Sequence, residues 1–130
     1  MERCKIEIST TTDGKTDVFQ TDGRLKSKNN GYEVCYEQEG DFVTLRFDKT
    51  TFQMKRSGGA NLSCTFYLGG RTAMLVSGYG GAGEIPVQTS VYSFRPFEKG
   101  CLIQLHYDVI FSDHFQMFQL ELKIETSEEK

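Results

Sequence analysis

Apolar and polar residues alternate with a period of two along nearly the whole chain, and each alternating run ends at a turn signal. Cys4, Ile6 and Ile8 share one face of a first strand. Asp13-Gly14 turns the chain into Thr16 to Leu25, where Gly23 predicts a bend or bulge. Asn29-Asn30-Gly31 is a strong hairpin signal, followed by Tyr32, Val34 and Tyr36 alternating with Glu33, Cys35 and Glu37. Gly40-Asp41 leads into an inward set of Val43, Leu45 and Phe47, and Phe52, Met54 and Arg56 share a face of the next strand. After Ser57-Gly58-Gly59 come Leu62, Cys64, Phe66 and Leu68, then the turn Gly69-Gly70. Arg71 to Tyr79 reads as a strand with Ser77 and Tyr79 inward, Gly80 to Gly83 as a loop, and Glu84 to Phe94 as a strand with Thr89 inward and Tyr92 and Phe94 outward. Pro86 fits an edge or bulged position in it. The stripe Ile103, Leu105, Tyr107, Val109, Phe111 is answered, beyond Ser112-Asp113-His114, by Phe118, Leu120, Leu122 and Ile124.

This pattern predicts eight to ten short antiparallel strands and leaves no room for a helix of ordinary length, which excludes a βαβ architecture. A meander of so many twisted strands either closes or stacks into a sandwich, and sequential hairpins without a long crossover favour closure. The expected fold is all-β: an up-and-down meander closed into a calycin- or lipocalin-like barrel over residues 1–126, with a charged tail at 127–130. Val43, Leu45, Phe47, Ile103, Leu105, Leu120 and Leu122 are its expected core.

Composition agrees with the strands, since Val, Ile, Thr, Tyr and Phe supply 41 of the 130 residues against three alanines. A net charge of -3 gives no overall positive field, so nucleic acid is not an expected partner. No run of about 18 apolar residues marks a membrane span, and the start MERCKIEIST does not read as a signal peptide. Cys4, Cys35, Cys64 and Cys101 are too widely spaced for a zinc site and read as reduced thiols of a cytoplasmic protein; no metal or cofactor is expected.

Several short motifs recur in a particular order: the strand KIEIST, Met54-Lys55-Arg56-Ser57-Gly58 at a strand end, Gly69-Gly70-Arg71-Thr72, the pair Tyr79-Gly80, Ile85-Pro86-Val87 running to Thr89, and Tyr107-Asp108-Val109. In this order and spacing the chain resembles the YwiB-like family of small bacterial β-barrels, which are calycin-type folds of unknown function. The resemblance implies a calycin-like barrel in a bacterial cytosolic protein and brings no activity or catalytic residues with it. Fatty-acid-binding proteins and lipocalins are similar in size, but this chain has no Trp for a Gly-x-Trp motif and no helical lid between its first strands.

The candidate chemistry is sparse. Ser77 to Gly83 is glycine-rich, but a strand rather than a helix follows it, so it is no phosphate cradle. His106 and Asp108 share a face and His114 lies in a turn, without a nucleophile to complete a catalytic set, and the reading leans away from an enzyme. Glu33, Glu37 and Glu39 form a solvated face. Arg56 is the informative residue, because alternation turns it inward with Phe52 and Met54 and a buried cation needs a partner. Three readings stand: an anionic ligand, Asp22 as internal partner, or a side chain that snorkels to water. The first expectation is a non-catalytic binding module for a small, partly apolar, anionic ligand, with Arg56, Tyr36, Tyr79 and Tyr107 as its polar anchors. The alternative is a homodimeric or interaction barrel with a filled interior and contacts through outward Phe42, Tyr67, Tyr92 and Phe94.

Overall fold

The structure is a computed structural model that describes residues 2–78 and 80–126; Tyr79 and the expected tail at 127–130 lie outside the described residues. Ten strands follow one another: β1 (Glu2–Thr12), β2 (Lys15–Lys28), β3 (Gly31–Gln38), β4 (Asp41–Phe47), β5 (Thr51–Ser57), β6 (Asn61–Tyr67), β7 (Arg71–Gly78), β8 (Gly81–Phe97), β9 (Gly100–Ile110) and β10 (Phe115–Thr126). Each pairs antiparallel with its neighbour in the chain, and β1 pairs with β10, so the sheet is a closed, calycin-like barrel. Closure leaves no permanent sheet edge.

The hairpins are tight because their turns hold residues at positive φ, which matches the twist of the flanking strands. Asp13 and Gly14 sit at 52° and 75°, Glu39 and Gly40 at 53° and 84°. The same economy removes the expected Gly80–Gly83 loop: Gly78 already faces Gly81 in the ladder, with Gly80 at φ 83°.

The alternation holds for β1, β3, β4 and β9, where Ile6, Val34, Val43, Leu45, Phe47, Ile103 and Leu105 are buried. It fails at β8. The register there shifts between Thr89 and Val91, a bulge that absorbs one residue and reverses the phase of everything after it. Tyr92 therefore points inward, 7% exposed, and its hydroxyl donates to the carbonyls of Asp48 and Thr51. Phe94 packs against Phe47 and Tyr32 at ring separations of 6.0 Å. Both aromatics expected on the outside belong to the interior. Three smaller expectations also fall: Met74 and Val76 are the inward residues of β7, which turns Ser77 outward, and Leu68 and Phe111 lie beyond the ends of β6 and β9 and are exposed.

The interior is filled by side chains. Phe52, Phe66 and Tyr92 lie ring against ring, Phe66 meets Tyr107 at 4.7 Å, and Tyr107 stacks on Phe118 at 5.3 Å. Leu122 and Ile124 are buried beside them, whereas Leu120 is only partly so. Gly23 marks no bulge, since the register with β1 runs unbroken through it, but a close approach: a Cβ there would meet the Cys35 carbonyl oxygen at 2.7 Å and Ile6 Cδ1 at 2.5 Å. All four cysteines are unpaired, with Cys4, Cys64 and Cys101 buried among apolar side chains.

Candidate functional site

Arg56 has the inward phase of β5, two residues beyond Met54 and four beyond the buried Phe52. Its side chain is long enough to run to the rim, where it is 30% exposed. There Nε donates to Asp41 Oδ2 at 2.8 Å, and the other nitrogens reach the side chain and carbonyl of Gln38 at 3.4 and 3.5 Å. Asp41 Oδ1 accepts the Gly59 N–H at 3.3 Å, so one carboxylate ties the β3–β4 turn to the β5–β6 turn. The turn can close on it because residue 58 is glycine: a Cβ at Gly58 would lie 1.8 Å from Asp41 Oδ1. The partner of Arg56 is thus Asp41 and not Asp22. The inward residue of β2 beside Asp22 is Gly23, opposite Cys4, and Asp22 itself lies on the exposed outer face opposite Lys5.

Arg56 lines one end of a groove of about 770 Å³ on the outside of β4 to β8. Its floor is a cross-strand row of outward residues, Lys55, Ser63, Leu75 and Glu84, each opposite the next in register. Phe42, 63% exposed, stands at one side, and Leu75, 48% exposed, is the apolar residue of the floor. The groove therefore offers a partly exposed guanidinium and a lysine at one end, a carboxylate at the other, and Ser63 and Leu75 between, with Phe42 alongside.

The other expected anchors do not join Arg56 in this groove. Tyr36 is buried one ladder away from Val43, which in turn faces Arg56, and its ring lies 6.0 Å from that of Phe19. Burial pushes its hydroxyl up to about 12, against the field of Arg56. It lines a separate groove of about 700 Å³ with Gly23, Arg24 and Phe42. Tyr107 is an interior residue between Phe66 and Phe118, its hydroxyl likewise pushed up to about 12 by burial. Tyr79 lies outside the described residues. His106 makes no hydrogen bond to Asp108; His114 is the histidine with a carboxylate partner, Asp113 at 2.7 Å. Among the described residues no three His, Cys, Asp or Glu side chains converge as they would to hold a metal ion.

Three carboxylates are held below their ordinary range: Asp41 by the Arg56 guanidinium and the Gly59 N–H, Asp48 by the backbone N–H groups of Thr50 and Thr51, and Glu33 by Arg46. A carboxyl whose folded pKa is depressed contributes stability above its unfolded value and loses it as pH falls through the folded one. The melting temperature is accordingly expected to be flat from pH 7 to about 5 and to fall below the ordinary carboxylate values of 4.5 for Glu and 3.8 for Asp. Thermal scans across that range at low salt check it, and a melting temperature that rises on acidification would contradict these pairings.

No helix among the described residues is long and apolar enough to cross a membrane. The fold is similar to the crystal structure of the ywiB protein from Bacillus subtilis, with a TM-score of 0.77 at 18% sequence identity over 97% of this chain and 91% of that one. No curated protein matches the chain. A model of the family described as a domain of unknown function, DUF1934, matches residues 4–124, which spans the barrel from the first buried residue of β1 to the last of β10, and the chain belongs to that family.

Proposed function

We propose that this barrel is a non-catalytic binding module whose ligand, a small and partly apolar anion, lies in the groove beside Arg56. The observation that carries the reading is the state of the guanidinium. Asp41 takes Nε and fixes the plane of the group, while the two remaining nitrogens hold Gln38 only at 3.4 and 3.5 Å, the weak limit of a hydrogen bond. A carboxylate, sulfonate or phosphate can displace those contacts and gain a charge-assisted pair. Lys55 adds a second positive charge on the same side, and Phe42 and Leu75 receive the apolar part of the molecule. Four unpaired cysteines suit a reducing compartment such as the cytoplasm.

Titration with 8-anilinonaphthalene-1-sulfonate, an apolar aromatic anion, tests the reading. Arg56→Met is expected to weaken its binding by one to two decades, the worth of a charge-assisted hydrogen bond of about 1.5–3 kcal/mol. The fold is expected to survive, because the Asp41 left behind faces solvent at the rim. An affinity unchanged by Arg56→Met would remove the ligand from this groove.

The exposure of Phe42 and Leu75, at 63% and 48%, favours one second reading, a homodimer formed through the same face. It loses Tyr92 and Phe94 as contact residues, since both are interior. Under it, sedimentation would show a dimer that Phe42→Ser dissociates.

A further inference from the structure

Arg71 of β7, Gln88 of β8 and Asp108 of β9 stand opposite one another in the ladders, and all three point outward because their neighbours Val87, Thr89, Tyr107 and Val109 point in. Two interstrand spacings, roughly 9.5 Å, separate the backbones that carry the cation and the carboxylate. These residues line a pocket of about 470 Å³ whose other wall is the β9–β10 turn from Phe111 to Phe115. In that turn the Phe111 ring stacks on His114 at 4.8 Å, His114 is engaged by Asp113, and Phe115 is 65% exposed.

Asp108 Oδ1 is shut off from solvent and has no hydrogen-bond partner among the described residues. That oxygen has lost its water without receiving a donor, so the carboxylate is only partly solvated, and a cation held at the other oxygen, on the side where Asp108 lines the pocket, offsets the loss. The flanking side chains do not provide a donor: Gln88 turns its amide nitrogen to the Gly69 carbonyl at 3.1 Å and makes no bond to Asp108, and Met117, opposite Asp108 on β10, carries no side-chain donor. An ammonium group supplies both the positive charge and up to three N–H donors, and the adjacent Phe111 and Phe115 rings suit a cation as well. Across Gln88, Arg71 is an exposed guanidinium able to take a carboxylate in fork geometry.

We infer that this outer pocket binds a small zwitterion, with a primary ammonium on Asp108 and a carboxylate on Arg71. It is separate from the groove beside Arg56 and does not depend on it.

The probe is 5-aminopentanoate, followed by calorimetry and by backbone amide shifts, with pentylamine and pentanoate as half-probes. Binding is expected to shift the amides of Arg71, Gln88, Asp108 and Phe115. Asp108→Asn, which keeps the shape and removes the charge, is expected to weaken 5-aminopentanoate and pentylamine tenfold to a hundredfold. Arg71→Gln is expected to weaken 5-aminopentanoate and pentanoate while leaving pentylamine unchanged, and Arg56→Met should leave all three as in the parent protein. Both pocket variants lie on the outer face, and an unaltered melting temperature confirms that each is folded. Absence of amide shifts at these four positions under saturating probe, or equal affinity in Asp108→Asn, would overturn the assignment.

Discussion

Phe66→Ala is expected to lower the unfolding free energy by about 3–5 kcal/mol, the cost of removing a fully buried aromatic ring from a core that cannot collapse around the space. Phe66 is 0% exposed and touches Phe52 at a ring distance of 6.1 Å and Tyr107 at 4.7 Å. These two neighbours hold their own places through other contacts, Phe52 with Phe47 and Tyr92, and Tyr107 with Phe118. They cannot both move into the gap, because a closed sheet fixes the spacing of the strands that carry them. Guanidinium denaturation with an unchanged slope measures the loss, and a decrease below about 1 kcal/mol would show that the interior is looser than these ring contacts imply.

Gly100→Ala is expected to destabilise the barrel by at least the 1–3 kcal/mol or so typical of overpacking, through a different cause. Gly100 opens β9, opposite Phe97 on β8 and Glu125 on β10. A Cβ there would fall 1.8 Å from the Ile124 carbonyl oxygen and 2.9 Å from its carbon. Those are backbone atoms of the neighbouring strand, so no rotamer change relieves the collision and the two ladders must spread. Gly83→Ala in β8 is the control. Its Cβ would meet nothing within 4 Å, and stability should move by no more than about 0.5 kcal/mol. Equal effects of the two substitutions, read from paired denaturation curves, would argue against the close approach at Gly100.

Alternation along the chain was enough to read a closed meander, because an antiparallel strand with one buried face writes its orientation into every second residue. It also turned Arg56 inward correctly. It missed Asp41, although the signal was present: counting back by two through Phe47, Leu45 and Val43 reaches Asp41, and only the neighbouring Gly40 made that position look like turn. The β8 bulge was not legible in the same way. From Thr89 to Phe94 the run Thr-Ser-Val-Tyr-Ser-Phe offers an apolar residue in either phase, so one absorbed residue leaves no mark in the pattern. The groove could not be read at all, since its floor joins Lys55, Ser63, Leu75 and Glu84 from four strands and depends on the register between them. The buried Asp108 oxygen was beyond reach for the same reason, as its environment is made by β8, β10 and the β9–β10 turn together.

The seam between β1 and β10 pairs Cys4 with Thr126, residues separated by almost the whole of the described chain. Every other ladder is a hairpin that can form as soon as two successive strands have emerged from the ribosome, whereas this one waits for β10. Until then β1 and the newest strand present bare N–H and C=O groups to any other chain nearby, and the long loop closed by the last ladder makes that step slow. The hazard for this protein therefore falls during synthesis, before the ring shuts. Arg3, Lys5 and Glu7 lie on the outer face of β1, and charges along an open strand disfavour edge-to-edge pairing with a second nascent chain in that interval.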